Sequence, residues 1–231
     1  GRRLARALLL SAASAALLLM TACWTGESPR IEDIVAVSST GDLFSIEFHR
    51  VTKFTSDGEF IKSWGKFGDD KGKFQSPSAI TVDSNDNVYV TERGNPRVQK
   101  FTADGRFLAR WGRQGDALGQ LANPTSIAVD SSGNVYVSDY ETHRVQKFTP
   151  EGEFLSQLGN EPERVAYRYP TNDREFLRPT ELFLDAADNV YVSDAPKNSS
   201  SLPGRRIQKF GPDGEYLGTW TLTPTASSAP N

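Results

Sequence analysis

The chain has 231 residues, 37% of them hydrophobic, with 26 basic against 29 acidic side chains. That length suits one large domain or a short repeat array with a real core, and 19 Gly plus 13 Pro favour short strands joined by turns over long helices. Arg2, Arg3 and Arg6, and none of the acids, fall in the first 22 residues, so the remainder carries a net charge of −6, which argues against a general phosphate-binding surface and so against nucleic acid as a partner.

The N-terminus reads as a targeting segment over residues 1–22. "GRRLAR" supplies a positive flank, and Ala7 to Ala22 is a run of 16 residues built from Ala, Leu, Ser, Met and Thr. A spanning helix needs about 20 residues, so the run fits the apolar core of an export signal. "MTAC" at 20–23 resembles the lipobox of bacterial lipoproteins, although Met20 departs from the usual Leu. The resemblance implies lipidation of Cys23, anchoring the protein on the periplasmic or extracellular side of a bacterial envelope; cleavage by the ordinary signal peptidase or retention as an anchor are the alternatives. Cys23 is the only cysteine, so no intramolecular disulfide is available. The chain opens on Gly1, not Met, so the reading frame is expected to extend upstream. A short linker, 23–30, follows.

From residue 31 the sequence repeats. "RVQKF" stands at 97–101 and at 144–148, with "RVTKF" at 50–54 and "RIQKF" at 206–210; the opening arginines are separated by 47, 47 and 62 residues. A fixed period of this size indicates an array or a propeller. Each unit offers four strand candidates: a ("ITVD", "IAVD"), b ("NVYVSD"), c ("RVQKF") and d ("RFLARW", "EFLSQL"). They are rich in Val, Ile, Tyr and Phe and bounded by Gly, Asn, Asp and Pro. Compact turns such as "SSGN" and "TADGR" join a to b and c to d. The expected fold class is all-β, a propeller of four-stranded antiparallel blades at 31–65, 77–112, 124–159 and 179–222, preceded by a signal helix and followed by a disordered tail at 223–231. Along strand c, Arg, Gln and Phe should share one side and Val and Lys the other.

The pattern P-x-x-I-x-V-D, N-V-Y-V-S-D, R-V-Q-K-F, D-G-E-F-L and W-G over 31–222 resembles the NHL repeat. The resemblance implies a propeller, usually of six blades, of which about four are present; truncation beyond the tail is expected, with closure of a four-bladed ring as the alternative. The first copy is the most degenerate, as suits a terminal repeat.

Departures from the period locate the candidate site. The spacing from the "WG" or "LG" mark to the next unit's Pro is 13 for Trp64–Pro77 and Trp111–Pro124, but 21 for Leu158–Pro179. The spacing from Asn of "NVY" to Arg of strand c is 10, 10 and then 17, for Asn189–Arg206. In an up-and-down blade the b–c loops and d–a links lie at one end, so both insertions decorate one face. Long loops on a rigid scaffold are where binding concentrates, and aromatic and Arg side chains are the usual anchors. Tyr167, Arg168, Tyr169, Arg174, Phe176 and Arg178 of the first insertion, and Arg205 at the end of the second, are the candidate ligand contacts, for a protein, peptide or glycan.

A second pattern recurs. Strand b ends in an acid and strand c begins with Arg, giving Glu47/Arg50, Glu92/Arg97, Asp139/Arg144 and Asp194/Arg206. Antiparallel neighbours bring these ends together, so the pairs read as structural pins; a carboxylate ring binding a cation is the alternative. No catalytic residues, metal ligands or cofactors are assigned. His49 and His143 are the only histidines, and zinc asks for three or four converging ligands. "DSNDN" at 83–87 imitates a calcium loop, but Val88 and Gly94 stand where that loop needs Gly and Glu. The sequence favours a non-enzymatic binding module. A metal-dependent lyase- or lactonase-like propeller enzyme and a sensor module of a larger, truncated protein are the alternatives.

Overall fold

The computed structural model describes residues 35–159, 174–194 and 205–222. The signal segment, Cys23, the linker and the tail lie outside them, as do Tyr167, Arg168 and Tyr169. The described residues form four antiparallel four-stranded sheets, with no helix among them. Blade 1 is β1 (Val35–Val37), β2 (Leu43–Glu47), β3 (Arg50–Phe54) and β4 (Phe60–Trp64); blade 2 is β5 (Pro77–Val82), β6 (Val88–Glu92), β7 (Arg97–Phe101) and β8 (Phe107–Trp111). Blade 3 is β9 (Pro124–Val129), β10 (Val135–Asp139), β11 (Arg144–Phe148) and β12 (Phe154–Leu158); blade 4 is β13 (Glu181–Leu184), β14 (Val190–Asp194), β15 (Arg205–Phe210) and β16 (Tyr216–Leu222). The first strands adjoin in the order β1, β5, β9, β13. The fold is the expected all-β propeller, with four blades among the described residues.

Local chemistry sets each hairpin. At the a–b turn an Asp carboxylate takes the place of a backbone acceptor: Asp83 Oδ1 accepts the N–H groups of Asn85 and Asn87 at 2.9 and 2.8 Å. Asp130 and Asp185 do the same in blades 3 and 4, the Asx turn that favours Asp here. The other oxygen of Asp83 accepts the Tyr89 hydroxyl at 2.9 Å, and Lys100 lies over the Tyr89 ring at 5.1 Å. Register slips by one residue just before the Phe of every third strand, a bulge that adds local twist.

Three hydrophobic clusters occupy the three blade junctions. Between blades 1 and 2, Phe44, Val51 and Trp64 meet Phe74, Val90 and Phe101; between blades 2 and 3, Tyr89, Val98 and Trp111 meet Leu121, Val137 and Phe148. Between blades 3 and 4, Tyr136, Val145 and Leu158 meet Phe176, Val192 and Phe210. The third strand thus sends its Phe to the preceding blade and its Val to the following one, as its alternation requires. Full burial of one such side chain contributes about 1.5–3 kcal/mol.

Candidate ligand-binding face

The face that carries the b–c loops and the d–a links is built on a clamp at the start of the third strand in blades 2, 3 and 4. Arg97 donates from Nε to Glu92 Oε1 at 2.6 Å, and its other nitrogens reach the Asp69 carbonyl at 2.6 Å and the Lys73 carbonyl at 2.9 Å. Gln99 completes the grip: Nε2 donates to Lys73 O at 2.8 Å and Oε1 accepts the Gly72 N–H at 3.0 Å. Glu92 also accepts the Gln75 N–H at 2.7 Å. All of these backbone groups belong to the link arriving from blade 1, which explains why an irregular segment is held without strand partners.

Blades 3 and 4 repeat the device. Arg144 donates to Ala117 O and Gln120 O, Gln146 bonds Gln120 O and Gly119 N, and Asp139 accepts the N–H groups of Ala122 and Asn123. Arg206 makes a two-pronged pair with Asp194 at 2.9 and 2.6 Å and donates to Glu175 O; Gln208 shares that carbonyl, and Asp194 accepts the Leu177 N–H. Burial raises the Glu92 and Asp194 carboxyls, while Arg97, Arg206 and the amide donors pull them back. Such pairs repay desolvation only because the remaining lone pairs are also bonded. The glutamines, invisible to sequence reasoning as more than spacers, bond the same link as the arginines.

Phe176 departs from its expected role. It is 4% exposed and packs on Phe210 at 5.5 Å beneath the third interblade cluster. It occupies the place that Phe74 and Leu121 take in the earlier links, so it is a packing residue and faces no ligand. The clue was in the sequence: all three stand three residues before the Pro that opens the next blade.

Arg174 is exposed, with its guanidinium 5.9 Å from the Tyr216 ring. The Arg205 backbone begins β15.

Arg178 is exposed on this face and gathers two partners that the spacing argument did not name. Its guanidinium lies 5.5 Å from the Tyr140 ring centre, and its backbone N–H donates to His143 Nδ1 at 3.0 Å. Tyr140 is fixed in turn by its own N–H, which donates to Asn123 O at 3.0 Å. Burial lowers the His143 pKa, the Arg178 charge lowers it further, and Asp139 opposes both. The imidazole is therefore neutral near pH 7, and with Nδ1 occupied its proton sits on Nε2. His143 and Arg178 have φ of 55° and 54°, and Phe48 and Ser76 on the same face have 51° and 50°, while Asp86 and Asp188 in the a–b turns at the other end have 60° and 58°; backbone held this way costs of order 1–3 kcal/mol per residue. One link–loop junction therefore brings together an exposed guanidinium, a half-buried tyrosine ring and a half-buried imidazole. Among the described residues, no group of three or more His, Cys, Asp or Glu is placed to hold a metal ion.

Residues 74–101 and 121–148 match the NHL repeat, each span running from the buried link residue to the final Phe of the third strand. No curated protein matches the sequence. Among solved structures the chain is similar to a streptogramin B lyase at 19% identity, over 84% of this chain and 55% of that one, with a TM-score of 0.57. It is similar to a virginiamycin B lyase from Staphylococcus aureus at 16%, over 87% and 59%, TM-score 0.57, and to a putative gluconolactonase at 17%, over 82% and 63%, TM-score 0.57. The chain thus spans 55 to 63% of the length of these structures, and at such identities the likeness is one of fold. Four sheets, two repeat matches and these neighbours together make the molecule a β-propeller whose second and third blades carry NHL repeats.

Proposed function

We propose that the chain is an exported, envelope-anchored binding propeller, lipidated at Cys23, that recognises a carboxylate-bearing peptide or glycan at the junction of blades 3 and 4. The observation that carries this reading is the convergence of Arg178, Tyr140 and His143 on the loop-bearing face. Arg binds carboxylates with charge-assisted hydrogen bonds, and Tyr supplies rigid area with a polar tip. A neutral imidazole with its proton on Nε2 donates a hydrogen bond and does not act as a base, which suits recognition better than proton abstraction. Tyr167, Arg168 and Tyr169 belong to the same link in sequence as Arg178 and lie outside the described residues. The fold by itself is silent on function.

The test is binding of the purified chain to arrayed acidic peptides and uronic-acid oligosaccharides, with and without Tyr140→Ala and Arg178→Ala. The expected result is saturable binding that each variant weakens by about tenfold, as loss of about 1.4 kcal/mol implies. Binding equal in wild type and both variants, or no binder among either class, overturns the reading.

A further inference from the structure

Two arginines from different blades reach onto the same part of blade 3. Arg93 stands in the b–c loop of blade 2, whose backbone is fixed to the link from blade 1: the N–H groups of Arg93 and Gly94 donate to the carbonyls of Ser76 and Gln75 at 3.0 and 3.1 Å. A Cβ on Gly94 would stand 2.9 Å from that of Gln75, so the loop lies this close only with glycine there. From that base the Arg93 side chain crosses to blade 3, where Nε lies 3.4 Å from the Pro124 carbonyl oxygen. Arg178 comes from the other side. It precedes the first strand of blade 4, and its guanidinium lies 5.5 Å from the Tyr140 ring.

The two contact points on blade 3 are neighbours. Tyr140 donates its N–H to the carbonyl of Asn123 at 3.0 Å, and Pro124 is the next residue. The entries to both inner strands are tied to the blade before: Ser78 Oγ donates to Pro124 O at 2.7 Å, and Thr125 Oγ1 to Pro179 O at 2.9 Å. Stacked sheets stand about 10 Å apart, so two guanidiniums that lean onto blade 3 from either side are separated by a distance of that order. Their charge is uncompensated. Arg93 and Arg178 are exposed, and among the described residues neither is paired with a carboxylate, unlike Arg97 and Arg206. Glu141, on the Tyr140 loop, is exposed and pairs with neither. In a chain with an excess of acids, two unpaired guanidiniums side by side form a local site for a ligand with two negative groups.

We propose that the ligand of this face is an extended acidic peptide with two carboxylates two residues apart, one held by Arg178 and the other by Arg93. This rests on the reading of Arg178 as a carboxylate anchor and deepens it, adding a second anchor and a ligand class. Side chains two residues apart on an extended strand point the same way, about 7 Å apart along the backbone, and two Glu side chains splay over the remaining distance. Each guanidinium takes one carboxylate through a pair of parallel hydrogen bonds. A glycan is disfavoured because Tyr140 is half-buried and already has the Arg178 guanidinium over its ring, which leaves it poorly placed to stack on a sugar.

Titration calorimetry of the purified full chain tests it, with a peptide containing Glu-Ala-Glu, its two forms in which one Glu is Gln, and a uronic-acid disaccharide. The variants are Arg93→Gln and Arg178→Gln, both at exposed sites and checked for native circular dichroism. The wild type is expected to bind the two-Glu peptide about tenfold tighter than either one-Glu peptide. Arg93→Gln should remove that preference and leave the one-Glu affinities nearly unchanged, while Arg178→Gln weakens the two-Glu peptide at least as much. If Arg178→Gln weakens that peptide and Arg93→Gln does not, the second anchor is refuted and the reading of Arg178 stands. If neither substitution changes binding, or no ligand binds, both fail. An equal loss for one-Glu and two-Glu peptides in Arg93→Gln means that the arginines share a single carboxylate, which overturns the proposal. Arg93-dependent binding of the disaccharide in preference to the peptide overturns the assignment to a peptide.

Discussion

Blades 1 and 2 carry the same residues for opposite ends. Glu47 and Arg50 occupy the positions of Glu92 and Arg97, opposite each other across the same pair of strands. In blade 2 the pair is buried, joined at 2.6 Å and locked by Gln99 onto the link from blade 1. In blade 1 the pair is exposed, and Thr52 replaces the glutamine. An acid–Arg motif is therefore no structural pin by itself. It becomes one when a neighbouring segment removes water from it and supplies carbonyls for the remaining guanidinium nitrogens.

The sharpest way to break that comparison is to remove each arginine. Arg97→Ala leaves Glu92 buried without its countercharge and frees the 69–73 segment, so a loss of about 3–5 kcal/mol is expected. Arg50→Ala removes an exposed partner, worth about 0–1 kcal/mol. Urea denaturation of the two variants measures both. Equal losses would mean that burial of the pair is not what distinguishes the blades.

A glycine comparison comes next. Gly58 and Gly105 sit at the same c–d turn with φ of 85° and 78°. A Cβ on Gly105 would stand 2.6 Å from the Trp64 ring of the preceding blade, whereas one on Gly58 would meet nothing within 4 Å. Alanine at either position carries about 1–2 kcal/mol of left-handed backbone strain, and Gly105→Ala adds about 1–3 kcal/mol for displacing the indole. Thermal unfolding should rank Gly105→Ala below Gly58→Ala. The reverse order would show that Trp64 yields without cost.

Most of this architecture was legible in the repeat. "RVQKF" is the third strand at Arg97–Phe101 and Arg144–Phe148, and the acid–Arg ends face each other in register. Strand order and turn chemistry are local, so periodicity and Asx or Gly signals reveal them. The site was legible only in part. Arg178 could be found because its link breaks period, but its pairing with Tyr140 and His143 reaches back 38 and 35 residues across a blade junction. No local pattern encodes that approach. Phe176 was misread for the converse reason: counting the insertion as one surface loop hid the Phe-x-x-Pro spacing that ties its end to the core. Gln99, Gln146 and Gln208 were passed over because their partners are carbonyls some 26 to 33 residues upstream.

The smallest effect concerns the junction of blades 3 and 4, where blade 1 again offers the contrast: His49 has Nδ1 buried without a partner, while His143 Nδ1 accepts the Arg178 N–H. Burial and the Arg178 charge hold the folded pKa of His143 below its ordinary 6.5. The unfolded chain therefore binds the proton first as pH falls. The stability that neutral His143 contributes is complete above pH 6.5 and is lost as pH drops through the folded value. Protonation also turns Nδ1 from acceptor to donor, pointing it at the N–H that it had been accepting. Asn is the apt replacement, since it tolerates positive φ and offers an uncharged oxygen. Comparing urea midpoints of wild type and His143→Asn between pH 8 and pH 5 isolates the effect, because the raised Glu92 and Asp194 carboxyls contribute alike to both. The expected outcome is a wild type that loses more stability than the variant over that range. Parallel profiles would mean that the Arg178–His143 contact survives protonation, and that the link between blades 3 and 4 is held by the Arg206, Gln208 and Asp194 clamp alone.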